Sequence, residues 1–430
     1  MKVLVTGANG FIGSAVLEAL LADGHEVVAC GRHRANLPSS ERVVFRQVDA
    51  REYLKADDWL ELLDGVQAVV NCLGILKGSK ADFDRLHHLA PLALARACRR
   101  KGVERFVQLS ALGHPDDGEF IASKHRFDEA LAAEGLESLV VRPSVVLSLR
   151  GSYGGTSMLR ALAALPIVRV LPGDGNQRIQ PILLEDLARV LVSGVTREDS
   201  SHRVVEAVGP EVMTLREYVC LVRAWLKFPR SWFELRIPAG CVAFFGWLAE
   251  RFVPGPMGIT LWRMLERGNV ARPDAHEHLV AATAYEPRPV SKALTQAASF
   301  VQDRWHARLY FLAPLVWLSL VGIWLVSGLA GFIATPESYG PILSNMGVPA
   351  TQHASLVLLA SAWNVLLGAM LLFRVWLTWV VRLMLLSVLG YTLALSIFLP
   401  EAWLELTGGL LKNLAILVLL PIFAILEGKR

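Results

Sequence analysis

The chain has few cysteines, and their spacing is not that of a metal site or a disulfide framework. Its five cysteines in 430 residues stand far apart, and none belongs to a Cys-x-x-Cys pair or to a cluster with histidine. We therefore expect no zinc site and no disulfide scaffold. Long runs of lysine and arginine are also missing, and the net charge is only +4. These absences argue against a nucleic-acid partner.

Charged residues are scarce, and they are scarcest in the last third of the chain. Asp, Glu, Lys and Arg make up 19% of the residues and the mean hydropathy is +0.42, which is high for a wholly soluble protein. Residues 309–331 and 354–373 contain none of the four, and each run is long enough to cross a hydrocarbon core of about 30 Å. Two further apolar runs cover residues 376–399 and 410–426. We predict an all-α four-helix transmembrane domain over residues 305–430, in contact with the lipid bilayer.

The charges between these runs predict the orientation of the membrane domain. Basic residues flank the first run, divide the second from the third and end the chain: Arg304, Arg308, Arg374, Lys429 and Arg430. The other two loops carry acidic residues: Glu337, Glu401 and Glu405. By the positive-inside tendency, we expect the globular half and both termini on the cytoplasmic side of the inner membrane. We expect no signal peptide in the amino-terminal stretch "MKVLVTGANG", because glycines interrupt its apolar run.

The first 300 residues have the texture of an α/β domain. Short valine-rich runs alternate with amphipathic segments: "KVLVTG", "HEVVACG", "AVVNCLG", "RFVQLSA" and "SLVVRPS". This alternation is typical of βαβ units around a parallel sheet whose strands are buried on both faces. We predict a Rossmann-like doubly wound parallel sheet, with a small substrate-side subdomain at about 150–180 and 210–300. The aromatic segment 231–258, broken by prolines and charges, is expected to rest on the membrane surface.

The stretch "VLVTGANGFIGSAVLEAL" predicts a dinucleotide-binding turn. Gly7, Gly10 and Gly13 lie between a valine-rich strand and an amphipathic helix. Glycines there permit a tight turn, a close approach of the backbone to the pyrophosphate and close helix–strand packing, while the helix amino terminus faces the phosphates. The residues expected to contact the cofactor at this turn are Thr6, Gly7, Asn9, Gly10, Phe11, Ile12 and Gly13.

Other residues at strand ends predict the rest of the cofactor site. An acidic residue about 20 positions past the last glycine usually holds a free ribose 2′-hydroxyl, but this neighbourhood holds Arg32 and Arg34. Guanidinium groups suit a 2′-phosphate, so NADP(H) is favoured over NAD(H), with two solvated arginines as the alternative. Asp49 is a candidate adenine contact or an ordinary turn residue. Leu73 and Gly74 follow the next strand, at the sheet edge where such folds hold ligands.

On these residues the chain resembles the short-chain dehydrogenase/reductase superfamily, in its atypical extended branch. That branch includes the accessory nucleotide-binding subunit of respiratory complex I. The resemblance covers about residues 1–300 and also includes "GVERFVQLSALG", "FIASKHRFDEAL", "VVRPSVVL" and "IQPILLEDLARVL". The membrane half is similar to DoxX-like four-helix domains, on a looser match of span number and texture. The resemblance implies a nicotinamide cofactor.

One residue departs from the superfamily pattern. The family's catalytic serine and lysine correspond to Ser110 and Lys124, but Phe120 stands where the family has its proton-transferring tyrosine. The lysine lies one helical turn after that position, on the same face, where its charge would lower a tyrosine pKa. Candidate substitute donors within reach in the sequence are His114, His125 and Tyr153, each of which is also an ordinary surface or packing residue. A shift of the alignment, leaving Lys124 as a surface lysine, is the other alternative.

The resemblance also implies contacts on the nicotinamide and substrate side. Pro143 and Val145 correspond to nicotinamide-pocket residues, and Arg178 and Gln180 to substrate-side polar groups. His87 and His88 are adjacent on a helix, where neighbouring side chains do not share a face, so a packed and a solvated histidine are expected rather than metal ligands.

Two functions remain open on the sequence alone. One is a membrane-held oxidoreductase that acts on a quinone or another lipid such as an isoprenoid. The other is a non-catalytic nucleotide-binding module, attached to the subunits of a membrane respiratory or quinone-synthesis complex. Loss of the tyrosine favours the module, and retention of Ser110 and Lys124 favours the enzyme. The interiors of the predicted spans offer little beyond Ser319, Ser361 and Asn364, and no chain of acidic or basic residues suited to ion passage, which argues against ion transport.

Overall fold

The computed structural model describes the chain except for residues 35–36, 197–200, 253–258, 405–408 and 428–430. It divides into two compact units, Met1–Ala307 and Arg308–Arg430. The sequence placed this division at 300–305. Three charges used for the orientation, those of Glu405, Lys429 and Arg430, lie outside the described residues.

A parallel sheet of seven strands forms the centre of the first unit. Its strands are β1 (Lys2–Thr6), β2 (Glu26–Gly31), β3 (Val43–Gln47), β4 (Ala68–Asn71), β5 (Arg105–Leu109), β6 (Glu137–Pro143) and, after four short strands of the subdomain, β11 (Arg203–Ala207). Their order across the sheet is β11-β6-β5-β4-β1-β2-β3, and every neighbouring pair is parallel. The order reverses direction next to β1, where doubly wound sheets bind ligands. The predicted fold class is confirmed.

Helices cover both faces of this sheet. They are α1 (Phe11–Ala22), α2 (Ala56–Trp59), α3 (Lys80–Asp84), α4 (Ala90–Lys101), α5 (Glu119–Ala133), α7 (Leu184–Thr196) and α11 (Ala275–Thr283), with a π-helical turn at Arg85–Leu89 and 3-10 turns at Leu60–Leu63 and Pro115–Asp117. Along β1, Val3 and Val5 join the core formed with α1, α7 and α11, whereas Leu4 joins the core formed with α4 and α5. This alternation explains why the strands are apolar at every position.

Smaller elements after residue 145 form the substrate-side region. They are β7 (Val146–Leu147), α6 (Gly155–Ala164), β8 (Val168–Pro172), β9 (Arg178–Ile179), β10 (Ile182–Leu183), β12 (Met213–Thr214), α8 (Leu215–Trp225), β13 (Phe233–Ile237), α9 (Ala239–Phe252), α10 (Ile259–Arg267) and α12 (Val290–Gln296). Strand β13 pairs with β8 in parallel, and β12 pairs with β9 antiparallel. Helix α11, within the stretch assigned to this region from sequence, packs instead on the main sheet.

The second unit is helical. Its elements are α13 (Val301–Ile333), which begins in the first unit, α14 (Pro336–Asn345), α15 (Ala350–Leu372), α16 (Leu377–Phe398), a 3-10 turn at Pro400–Trp403 and α17 (Leu411–Leu426). Helices α13, α15 and α16 are long and apolar enough to cross a membrane, at 33, 23 and 22 residues. Helix α17 has 16 residues, which matches the run predicted at 410–426 to within one residue, but its rise of about 24 Å is shorter than a hydrocarbon core of about 30 Å. Helix α14 occupies a stretch that the sequence left as a loop.

One shared core holds the four apolar helices together. It contains Trp317 from α13, Leu371 from α15, Met384 from α16 and Phe423 from α17. The indole of Trp317 donates a hydrogen bond to the carbonyl oxygen of Leu371 at 3.0 Å. Large apolar side chains such as Leu329, Leu359 and Ile397 face outward. A bundle that is apolar both inside and outside is suited to a lipid solvent.

Candidate functional site

In the turn after β1, the positions of Gly7 and Gly13 have no room for a Cβ atom. Gly7 has φ +63°, and a Cβ built on it would lie 2.8 Å from the carbonyl oxygen of Cys72. A Cβ on Gly13 would collide with the carbonyl oxygen of Gly7. No side chain caps the amino terminus of α1 at Gly10, which leaves its N–H groups open to a ligand. This backbone cradle at a helix amino terminus fits the pyrophosphate of a dinucleotide.

The predicted adenosine-side residues lie beyond this turn. The Asn9 side-chain amide donates to the carbonyl oxygen of His33 at 2.8 Å, which fixes the turn to the chain after β2. Arg32 and Arg34 follow the same strand and are exposed. Asp49 comes two residues after the end of β3, and its carboxylate accepts a hydrogen bond from the Arg51 backbone N–H at 3.1 Å. The arginines are therefore open to a ligand at the end of β2.

A buried chain of polar groups runs beneath the carboxyl edge of the sheet. The Thr6 hydroxyl donates to the Asn71 amide oxygen at 2.5 Å, and the Asn71 amide nitrogen donates to Gln108 at 2.6 Å. Gln108 in turn donates to the carbonyl oxygen of Leu109 at 3.0 Å. Thr6 was predicted to contact the cofactor, and its hydroxyl proton is donated to Asn71 inside the sheet. Sequence reasoning missed Gln108, although a polar residue inside "RFVQLS" was the available signal.

Lys124 lies at the meeting point of β4 and β5. Its ammonium donates to the carbonyl oxygen of Leu109 at 2.9 Å and to that of Leu73 at 3.4 Å. The side chain is only 4% exposed, and burial lowers the pKa of Lys124 to about 8, against the raising effect of Asp128. An ammonium has three N–H donors, so one remains for a ligand. Lys124 is therefore not a surface lysine.

Lys124 and the glycine turn contact the same short piece of backbone. The turn packs against Cys72 at the Gly7 position, and Lys124 binds the carbonyl oxygen of the next residue, Leu73. The Lys124 nitrogen would lie 3.6 Å from a Cβ at Gly74. The residues predicted from the turn, from the end of β4 and from α5 thus come together at one edge of the sheet.

Phe120 sits in a group of rings one turn before Lys124. The Lys124 nitrogen lies 5.9 Å from the Phe120 ring centroid. The rings of His87 and Phe83 lie edge-on to Phe120, with centroids 5.6 and 6.4 Å away. The ring at the position of the family's tyrosine is therefore packed beside the lysine, without a hydroxyl to transfer a proton.

His87 is part of this group and stays neutral. Its Nε2 accepts a hydrogen bond from the Ile75 backbone N–H at 3.0 Å, so Nδ1 carries the proton and donates to the Ser123 hydroxyl at 2.9 Å. That hydroxyl donates onward to the carbonyl oxygen of Glu119 at 2.7 Å. Burial, with the charges of Lys124 and Arg126 acting in the same direction, lowers the pKa of His87 to about 2. His87 is buried and His88 is only partly exposed.

Ser110 lies against a buried carboxylate of α5, one helical turn after Lys124. Its hydroxyl donates to Asp128 at 2.7 Å, and the Arg142 guanidinium donates to the same oxygen at 2.9 Å. Burial raises the pKa of Asp128, opposed by its hydrogen bonds and by Arg142. The Ser110 proton is therefore committed to Asp128, and only its lone pairs are left for a substrate. Sequence reasoning missed Asp128, which follows Lys124 by one helical turn.

The three substitute donors lie in different places. His114 is exposed and accepts a hydrogen bond from the Asp116 backbone N–H at 3.3 Å. His125 is buried and donates to the carbonyl oxygen of Ala111 at 3.0 Å. Tyr153 stacks on Phe11 at the start of α1, with ring centroids 5.8 Å apart. Tyr153 is thus the one of the three that lies at the glycine turn.

Hydrogen bonds between side chains and backbone fix the position of the segment after β6. The Ser144 hydroxyl, between Pro143 and Val145, donates to the carbonyl oxygen of Gln180 at 2.7 Å. The Gln180 side-chain amide donates to Gly209 at 2.9 Å and accepts from the Ala271 N–H at 3.2 Å. The nitrogen and the oxygen of the Gln180 amide are thus both hydrogen-bonded within the protein. Arg178, the other predicted substrate-side residue, is exposed.

Comparison with known families agrees with this division of the chain. Residues 7–157 match a family described as NAD(P)H-binding, and residues 321–421 match the DoxX-like family. Among curated proteins, the divinyl chlorophyllide a 8-vinyl-reductase of Oryza sativa subsp. indica is 33% identical over 227 residues, which is 48% of this chain and 54% of that protein. Subunit 9 of the NADH dehydrogenase (ubiquinone) 1 alpha subcomplex of Arabidopsis thaliana is 23% identical over 250 residues, 54% of this chain and 60% of that protein. The chain thus spans about half the length of the curated relatives it matches.

Solved structures agree at the level of the fold. The UDP-glucuronic acid 4-epimerase of Bacillus cereus, in complex with UDP-glucuronic acid and NAD, superposes with a TM-score of 0.53 at 16% identity, over 72% of this chain and 100% of that one. MoeE5 in complex with UDP-glucose and NAD gives a TM-score of 0.53 at 18% identity, over 72% and 99%. The chain therefore joins an NAD(P)H-binding domain with a Rossmann-type fold to a DoxX-like membrane domain.

Proposed function

We propose that this chain is a membrane-held, NADP(H)-dependent reductase that acts on a lipid-soluble acceptor such as a quinone or an isoprenoid. The observation that carries the proposal is the buried Lys124 ammonium, which shares the Cys72–Leu73 backbone with the glycine turn and has one N–H donor left. Doubly wound sheets hold their ligands at this edge, and a buried ionisable group with a shifted pKa there is typical of a functional site.

The cofactor's parts match groups along the sheet edge. The pyrophosphate would lie on Gly7, Gly10 and the open amino terminus of α1. The exposed guanidinium groups of Arg32 and Arg34 would hold a 2′-phosphate, which favours NADP(H) over NAD(H). A reduced nicotinamide supplies a hydride when it is bound.

The chain's own part in the reaction is to deliver a proton and exclude water. With Phe120 in place of a tyrosine, the proton would come from Lys124 Nζ, which lies 5.9 Å from the Phe120 ring centroid. The pKa of Lys124 is lowered to about 8, so the ammonium is a better acid than an ordinary lysine and is still protonated at neutral pH. The Lys124 side chain is 4% exposed and the Phe120 ring lies beside its ammonium, so little water reaches this proton.

The choice of a lipid-soluble acceptor is supported by the membrane half and by one relative. Three long apolar helices keep the nucleotide domain beside the bilayer, where apolar substrates are concentrated. The matched plant reductase acts, by its name, on the vinyl group of divinyl chlorophyllide a, a reduction of an apolar group. The charge pattern of the loops supports a cytoplasmic position for the nucleotide domain and both termini, since cytoplasmic loops are enriched in Lys and Arg.

A second candidate function is a nucleotide-binding module without catalysis. It is favoured by Phe120, since a packed phenyl ring cannot donate the proton that the family's tyrosine provides. The Arabidopsis relative is, by its name, a subunit of an NADH dehydrogenase. In this alternative a bound nucleotide would stabilise the fold within a membrane assembly, and Lys124 would hold the ribose.

Two measurements separate these functions. The full chain is purified in detergent and denatured, and the released nucleotide is identified; the bound NADPH of a second sample is then followed by fluorescence after addition of a quinone analogue. Turnover that Lys124→Met abolishes supports the reductase. Tightly bound NADPH that never decays supports the module, and a protein that neither carries nor binds a nicotinamide nucleotide overturns both.

A further inference from the structure

Strand β13 and helix α9 carry aromatic side chains that no described part of the chain covers. We call this set the aromatic face: Trp232, Phe233, Leu235, Phe244, Phe245 and Trp247. Trp232 is 82% exposed and Trp247 is 52% exposed. Single exposed apolar residues are ordinary on proteins, but a contiguous group of large ones marks a contact surface.

The two parts of the aromatic face follow each other directly along the chain. Strand β13 ends at Ile237 and α9 begins at Ala239, so one proline separates them. On α9 the ring of Phe244 lies 5.6 Å from that of Phe245 and 6.3 Å from that of Trp247. The rings on α9 thus form one group instead of standing singly in water.

The orientation of β13 is the reverse of what a water-facing strand requires. Glu234 points inward, where its carboxylate binds Arg169 at 2.7 Å and Arg216 at 2.8 Å. Its neighbours Phe233 and Leu235 point the other way and are exposed. A half-buried strand in water places apolar residues inside and charges outside. Arg236 of the same strand also binds Glu234, at 3.2 Å. These four linked charges fix the strand with Phe233 and Leu235 outward, an orientation that does not suit an aqueous surface.

We infer that the aromatic face is a membrane-contact surface that enters the interfacial layer of an anionic lipid bilayer. The chain's own long apolar helices keep the first unit at a bilayer. Trp and Phe are the residues that favour the headgroup boundary. Exposed Lys227 and Arg230 stand just before Trp232, and cations beside an apolar surface are complementary to acidic headgroups.

The start of α13 gives a second indication within the same unit. Phe300 and Trp305 are 61% and 66% exposed at the point where the helix leads toward its membrane-spanning part. An exposed tryptophan at the entrance of a span is typical of the headgroup level. The first unit therefore has lipid-suited aromatics at its tether as well as on the aromatic face. This inference does not depend on the proposed reaction.

The test measures the depth of one position on the aromatic face. The full chain, with Cys241→Ser, receives Phe245→Cys and an environment-sensitive fluorophore, and is placed in nanodiscs of mixed neutral and anionic lipid. Glu61→Cys, an exposed site on the sheet domain, is the matched control. The Cys241→Ser protein alone supplies the background from the remaining cysteines. Since Phe245 and Glu61 are both exposed, neither substitution disturbs a core.

Brominated lipid should quench the probe at 245 about twofold or more beyond the probe at 61. Lys227→Gln with Arg230→Gln should reduce this excess, whereas Lys80→Gln with Arg99→Gln should leave it unchanged. Equal quenching at the two sites overturns the inference. If quenching at 245 depends on the number of chains per disc and not on the bromine content, the inference is overturned. The aromatic face would then be a contact between two copies of the chain. Neither readout involves turnover, so failure here is distinct from failure of the proposed function.

Discussion

The ring of Tyr153 stacks on the ring of Phe11, with centroids 5.8 Å apart and planes inclined by 26°. Phe11 is the first residue of α1, directly after the glycine turn. Tyr153 belongs to the segment between β7 and α6, which therefore closes over the turn. The contact joins ring faces and does not use the hydroxyl, so it is a packing contact beside the nucleotide cradle.

Tyr153→Ala should weaken NADPH binding about fivefold, since an aromatic pair contributes about 1 kcal/mol. Tyr153→Phe keeps the ring and should bind NADPH like the parent chain, as measured by titration of NADPH fluorescence. If Tyr153 supplied the proton instead, Tyr153→Phe would lose turnover while keeping its NADPH affinity. That result would contradict the assignment of the proton to Lys124.

Gly13→Ala should abolish nucleotide binding and lower the free energy of unfolding. The added Cβ collides with the carbonyl oxygen of Gly7, and overpacking of a rigid backbone contact costs about 3 kcal/mol or more. Gly240→Ala is the control, since a Cβ there meets nothing within 4 Å. Thermal unfolding with and without NADPH measures both effects. If NADPH still raises the thermal stability of the Gly13→Ala variant, the nucleotide binds at another place in the protein.

Arg32→Ala with Arg34→Ala should weaken NADPH binding about thirtyfold or more and leave NADH binding nearly unchanged. Each guanidinium that binds a 2′-phosphate contributes roughly 1 kcal/mol or more in an exposed site. Arg42→Ala, which removes another exposed charge, controls for the general loss of positive potential. If the affinities for NADPH and NADH fall equally, the two arginines do not bind the 2′-phosphate and are ordinary solvated side chains.

The sheet and the glycine turn could be predicted because their signals are local. A buried strand appears in the sequence as a valine-rich run. Gly7 is required by its own φ of +63°, and Gly13 by contact with the carbonyl oxygen of Gly7, six residues earlier. The contacts of Lys124 and Ser110 could not be predicted. Lys124 of α5 binds the carbonyl oxygens of Leu73 and Leu109, and Ser110 binds Asp128 of α5. These partners come together only once the fold has formed. Helix α14 was missed because it is short and contains two prolines and a glycine.

The proton-transfer role of Lys124 predicts a defined pH dependence. The acid form is the ammonium, and its pKa is lowered to about 8. Reduction measured as kcat/KM should therefore be constant below about pH 8 and fall as the pH rises further. Lys124→Met should lower the rate about 10²-fold or more and remove the pH break. Lys80→Met should change neither. His87 should add no break near neutrality, since its lowered pKa of about 2 keeps it uncharged there.

Phe120→Tyr restores the hydroxyl that the superfamily has at this position. The Phe120 ring already lies beside the Lys124 nitrogen, 5.9 Å from its centroid, and the lysine charge would lower the pKa of a phenol there. Reduction of a simple carbonyl compound should therefore rise by about 10²-fold, the usual size of general acid help. Phe83→Tyr adds the same atom to a neighbouring ring of the same group and should give no gain. Both rates are read as NADPH oxidation at saturating nucleotide. If Phe120→Tyr binds NADPH normally but gains nothing on carbonyl or quinone acceptors, no acceptor reaches this edge of the sheet, and the nucleotide-binding module becomes the better account of the chain.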